Sequence, residues 1–224
     1  MKITNQLIIA AAATVVIALG ADRFDHVVRT NFFLGFAGNE KALDDAMKST
    51  EEALAENPKH PEALVWHGAG LFFRSGKLFQ KQDFQNAVPL YERGLAEMDQ
   101  AVALSPDGIG VRIPRGAALM TAARSIPDPS RSRPLFERAA SDFQRAYDIQ
   151  QPYLDKLGDH PRGELLMGLA DTYYRLGDET KAATYFEKLL AMGNVSGHEE
   201  EAKEWLATRK LSKRVTCVGC HISK

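Results

Sequence analysis

The chain holds two cysteines, both near its end, in the run Thr216-Cys217-Val218-Gly219-Cys220-His221. Two thiols separated by two residues can close on each other as a disulfide, cycle as a redox dithiol, or supply half of a zinc site. The imidazole of His221, directly behind the second thiol, adds a ligand for a metal. A redox dithiol of this spacing ordinarily opens a helix beside a βαβ sheet, and no such sheet is expected here. A zinc site needs four ligands, and His26, His60, His67, His160 and His198 show no paired spacing that would complete one. Two cysteines are also too few for a disulfide framework. The chemistry of the pair therefore depends on the compartment and on the scaffold that carries it.

The compartment is read from the other end. Lys2 precedes an apolar run from Leu7 to Leu19 that only Thr14 interrupts. The run is short for a bilayer span, which takes about 20 apolar residues, and it suits the apolar segment of a secretory signal. Ala18-Leu19-Gly20 would serve as the cleavage site, so residues 1–20 read as a signal peptide or, if uncleaved, as an N-terminal membrane anchor. Either way the protein is expected outside the cytoplasm, in the periplasm, and it would be held at the inner membrane only where this segment stays uncleaved. The 28 basic and 29 acidic residues leave a net charge of -1, which excludes an electrostatic grip on nucleic acid.

Between the two ends, residues 21–211 read as all-helical, rich in Ala, Leu, Glu, Lys and Arg. Self-comparison aligns "KHPEALVWHGAGLFFRSG" (59–76) with "DHPRGELLMGLADTYYRLG" (159–177): each opens on His-Pro and stops at a glycine. In "LADTYYRLGDETKAATYFEKLLA", Leu169, Ala170, Tyr173, Leu176, Gly177, Asp178, Ala182 and Phe186 stand at large and small packing positions. This stretch resembles a tetratricopeptide repeat (TPR), whose helices cross closely where one offers Ala or Gly and the other an aromatic. The resemblance extends loosely over about 22–193. It implies a TPR-like α-solenoid of about four helical hairpins, with "KLFQKQDFQNAVPLYERG" inserted in the second and "SIPDPSRS" as the loop of the third. "GHEEEAKEWLATRKLSKR" then reads as a capping helix, acidic at its start and basic at its end.

TPR arrays bind protein or peptide partners on a groove lined by their first helices, and the resemblance assigns that role to Trp66, Phe73, Arg74, Asp171, Tyr174 and Arg175. The alternative for Trp66 and Phe73 is solenoid core. His67 and Tyr173 read as packing residues. For the tail (212–224), Cys217-Val218-Gly219-Cys220-His221 resembles the CxxCH attachment motif of c-type cytochromes. That implies a covalent haem c, with Cys217 and Cys220 as thioether anchors and His221 as proximal iron ligand. A plain disulfide stays open as the alternative, and a metal half-site or vestigial tail behind it. Met192, His198 and Met167 are candidates for a sixth ligand, and Lys213 and Arg214 for propionate partners. The motif sits at the end of the chain, whereas class I cytochromes wrap haem in the residues after it. No phosphate loop, acid/base pair or nucleophile context marks an enzyme.

Overall fold

The computed structural model describes residues 23–193 and 195–211. Within them the chain is helical throughout: α1 (Phe24–Phe36), α2 (Glu40–Glu56), α3 (Pro61–Gln80), α4 (Phe84–Leu104), α5 (Ile109–Ala123), α6 (Pro129–Gln150), a short 3-10 helix (Gln151–Lys156), α7 (Asp159–Leu176), α8 (Glu179–Leu190) and α9 (Glu199–Thr208). Local chemistry sets most starts. The side chains of Asn39, Asp83 and Asp178 each accept a backbone N–H three residues on, and Asp128 accepts that of Ser130. His60 does the same through its ring, with Pro61 in the first turn, where a missing N–H costs nothing. α7 ends on Gly177 in the left-handed conformation (φ 83), as its sequence leads one to expect.

Three expectations change. α3 does not stop at Gly76 but runs on to Gln80, and the left-handed residue of the turn is Gln82 (φ 60). The residues expected as an insertion instead lengthen both helices of the second hairpin, to 20 and 21 residues. The reason is aromatic: Phe79 lies 6.0 Å from Tyr91 and 6.1 Å from Phe84, which zips the hairpin to its tip. In the third hairpin Asp128 caps α6, so Ser130 and Ser132 are helical rather than loop.

The helices pair into four antiparallel hairpins, α1/α2, α3/α4, α5/α6 and α7/α8, and α9 closes the array against α8. Successive first helices pack closely, α1 on α3, α3 on α5 and α5 on α7, whereas second helices of neighbouring hairpins meet only through long side chains, Arg138 on Asp99 and Tyr147 beside Tyr185. The first-helix row is thus the tighter, inner layer of the solenoid. One apolar core runs through all four hairpins, from Val28 and Phe32 to Phe186 and Trp205.

α3 and α4 cross closest at Gly68 and Gly94. A Cβ on Gly94 would lie 2.7 Å from the Gly68 carbonyl oxygen and 2.9 Å from the Phe72 nitrogen, and neither backbone atom can yield. Gly94→Ala is expected to cost about 1–3 kcal/mol in urea unfolding. Gly76→Ala, where nothing lies within 4 Å, should gain helix stability instead.

Charge is buried between the second and third hairpins. Asp142 of α6 is fully buried and takes Arg112 at 2.7 Å and Arg115 at 2.6 Å, both from α5. Arg115 also reaches Asp99 of α4 at 2.9 Å, and Arg138 of α6 pairs with the same Asp99. Three helices are joined by one network.

At the far end the Glu199 carboxylate gathers the N–H groups of Val195, Ser196 and Gly197 and the Ser196 hydroxyl, at 2.6 to 3.0 Å. Burial pushes its carboxyl up, but these donors outweigh it and hold it at about 2, down from an ordinary 4.5. Stability from this cap is present above the unfolded value and drains away as pH falls through the folded one. Wild type should therefore lose more melting temperature than Glu199→Gln between pH 5 and pH 2.

Candidate partner-binding face

α3 shows how the structure divides a helix among neighbours. Trp66 and Phe73 turn to α1: Trp66 stacks on Phe32 at 5.1 Å, and Phe73 lies 4.8 Å from Phe36. Gly70, Arg74 and Lys77 turn to α2, where they meet Met47, Asp44 and Glu40, and His67 lies between Glu51 of α2 and Glu97 of α4. Gly68 and Phe72 turn to α4. Trp66 is 4% exposed and so belongs to the core, the alternative kept for it from its sequence. Phe73 is half-buried, with the Lys77 ammonium 5.3 Å from its ring centre. Arg74 leaves the inner row altogether: its guanidinium is 2.5 Å from Asp44, at the α2–α3 junction, where Glu40, Leu43 and Lys77 complete a shallow recess of about 240 Å³.

On α7 the residues do converge. Asp171 is fully buried, so it cannot touch a partner; it orients two cations instead. Arg124, from the end of α5, places Nε at 2.9 Å and a terminal nitrogen at 2.6 Å from Asp171 Oδ2. Arg175 approaches Oδ1 at 3.4 Å and lies 5.5 Å from the Tyr174 ring centre. The Arg175 side chain keeps 34% of its surface exposed. A guanidinium held by one carboxylate and one ring, with donors left over, suits a carboxylate or backbone carbonyl of a bound segment. Tyr174 is half-buried and packs edge-on against Trp205, 5.8 Å away.

Arg124 escaped sequence reasoning. It stands 47 residues from Asp171, and no local pattern couples the two. The two packing residues behave as expected. His67 is 2% exposed and its Nδ1 lies 2.5 Å from Glu97 Oε2. Burial pushes the Glu97 carboxyl up, and His67, followed by Arg93, more than reverses this, leaving it below its ordinary value. Tyr173 is buried, and its hydroxyl donates to Gln144 Oε1, shared with Tyr185, both at 2.9 Å.

Cys217, Cys220, His221, Lys213, Arg214 and residues 1–20 lie outside the described residues. Among those described, no group of His, Cys, Asp and Glu is arranged to hold a metal, and no helix is long and apolar enough to cross a membrane. Of the three sixth-ligand candidates, Met167 is 2% exposed within the core. His198 is buried too, with Nε2 3.3 Å from Glu164. Met192 is half-buried against the core. Each of the three is engaged with the protein itself.

Residues 164–191 match the tetratricopeptide repeat family. Among solved structures, the fold is similar to that of a thermophilic TPR protein from Thermus thermophilus, with a TM-score of 0.51 and 23% identity over 82% of this chain and 81% of that one. No curated protein matches the chain. At that identity the likeness speaks for the fold alone. Residues 164–191 of the last hairpin are thus similar to a tetratricopeptide repeat in sequence, and the array as a whole has a TPR-like helical fold.

Proposed function

We propose that this protein is a non-enzymatic scaffold that binds a protein or peptide segment along its first-helix row, outside the cytoplasm. The observation that carries this reading is the half-exposed Arg175, held ready by buried Asp171 and the Tyr174 ring on the inner layer of the array. The half-buried Phe73 provides an apolar contact on the same layer. Aromatic and arginine side chains of this kind anchor interfaces. Peptides selected from a random library on the immobilised chain are expected to bind Arg175→Ala about tenfold more weakly, at unchanged helicity, since an anchor of this type contributes about 1 kcal/mol or more. Equal binding would move the site off this face.

The CxxCH tail extends the reading to a redox-linked scaffold with one covalent haem c, serving electron transfer or redox-linked assembly. Haem would supply a one-electron centre; Cys217 and Cys220 would anchor it and His221 would face the iron. The alternative is a non-redox adaptor whose tail closes as a disulfide. Expression with a cytochrome c maturation system separates the two. Haem c gives a peroxidase-stained band on a denaturing gel that vanishes in Cys217→Ser/Cys220→Ser. A disulfide gives a colourless chain lighter than its reduced form by two hydrogens.

A further inference from the structure

We propose that the junction of α7 and α9 takes an acidic protein segment: two Asp or Glu side chains of one partner chain, one on Arg175 and the other on Arg209. The inference rests on the reading of the inner layer as the partner-binding face. It adds the chemistry of the partner, and it brings a second element, the capping helix, into the site.

The two arginines are held in the same way on neighbouring elements. α9 lies against α8 and brings Trp205 edge-on to Tyr174 of α7, with the ring centres 5.8 Å apart. Arg175 lies 5.5 Å from the Tyr174 ring centre, and Arg209, just past the end of α9, lies 4.6 Å from that of Trp205. A run of guanidinium, ring, ring and guanidinium therefore crosses the junction. Trp205 is fully buried and Tyr174 half-buried, so the rings are fixed by packing and the cations are placed by the rings. Attraction to a ring orients a guanidinium without neutralising it.

Charge at this junction is out of balance. The one carboxylate of Asp171 serves two cations: Oδ2 takes two nitrogens of Arg124 at 2.9 and 2.6 Å, which leaves Oδ1 for Arg175 Nε at 3.4 Å. The terminal nitrogens of Arg175 meet no acceptor among the described residues. No carboxylate among those residues stands within ion-pair distance of Arg209. Asp178, just past α7, is engaged by Lys181 and by the start of α8. Lys210 follows Arg209, exposed, and adds to the excess. Half-exposed arginines elsewhere in the array have carboxylates of their own, such as Arg74 on Asp44 and Arg145 on Asp107. The surplus is therefore local, in a chain whose net charge is -1, and a partner's negative groups would balance it.

The occupant is a segment rather than a free anion. Two rings lie along the run between the guanidinium groups, a span of at most about 16 Å, within reach of side chains up to four residues apart on an extended chain. Half-buried Tyr174 adds an apolar contact that a small anion does not use. A guanidinium placed in advance meets a carboxylate through paired N–H donors and loses little freedom in doing so. Nucleic acid is gripped by longer arrays of cations than this one.

The test screens the full chain against an array of synthetic random dodecapeptides, unphosphorylated and blocked at both ends so that only side chains carry charge. The expected result is enrichment of Asp and Glu at two positions up to four residues apart, with binding that weakens at high salt. Arg209→Glu should weaken these peptides about tenfold or more and erase the preference at one of the two positions. Arg175→Glu/Arg209→Glu should select Lys and Arg in their place. Both residues are exposed, and circular dichroism confirms that the variants fold. Binders that show no acidic preference yet weaken on Arg175→Ala would overturn this inference and leave the partner-binding face standing. An acidic preference untouched by Arg209→Glu would remove α9 from the site and overturn it as well, as would a thymidine oligonucleotide that outbinds every peptide. If no peptide binds, or Arg175→Ala changes nothing, the face itself is wrong and takes this inference with it.

Discussion

Asp142→Ala is expected to lower the unfolding free energy by about 3–5 kcal/mol, the usual loss when one partner of a buried ion pair is removed. Asp142 is fully buried, and the Arg112 and Arg115 side chains that meet it keep only 13% and 9% of their surface. The substitution leaves two guanidinium groups in a dry interface, one without an anion and the other with only Asp99. That uncompensated charge, more than the lost attraction, sets the size of the effect. Asp99→Ala removes a 49% exposed carboxylate from the same network and should cost no more than about 1 kcal/mol, since water replaces its role. Urea unfolding followed by circular dichroism reads both. With a stability of about 5–15 kcal/mol for a typical domain, the first variant would stand close to its unfolding threshold. A loss from Asp142→Ala as small as that from Asp99→Ala would mean that water reaches the network.

The second large effect falls at the end of the array. Trp205→Ala is expected to cost about 3–5 kcal/mol as well, through lost transfer energy and the cavity left behind. The indole is fully buried, stacked on Phe186 at 4.8 Å and edge-on to Tyr174, with Arg209 over its face at 4.6 Å. Its Nε1–H has no hydrogen-bond partner, so its removal also relieves an unsatisfied donor, which offsets about 1 kcal/mol. The two variants should differ in kind. Repeat arrays couple mainly to nearest neighbours. Trp205→Ala should thus release α9 and expose Phe186 while the first three hairpins stay protected, whereas Asp142→Ala weakens the middle and lets both halves open. Amide hydrogen exchange separates these patterns: fast exchange confined to α8 and α9 for the first, spread across α3 to α6 for the second.

The candidate face was only partly legible. Arg175 and Tyr174 sit together on the inner layer as the repeat pattern implies, because the last hairpin carries that pattern most fully. Arg74 turned to the α2 junction, and Asp171 proved to be an internal counter-ion. Position in a repeat says which helix a residue rides on. It does not say how far the helix is rotated when its neighbours have unequal lengths, as α3 and α4 do beside α1.

Helix content followed from composition, and the four hairpins and the capping helix from the resemblance to a tetratricopeptide repeat together with first-turn prolines and end-biased charges, signals that act over a few residues. The tertiary structure decided that Gly76 lies inside a helix, that Asp142 and Asp171 are buried counter-ions, and that Arg124 completes the Asp171 pair. The Asp142–Arg115 and Asp171–Arg124 pairs join residues 27 and 47 positions apart in the chain. Contacts at that range exist only once hairpins stack, and stacking is set by the packing of whole faces, which no local pattern records.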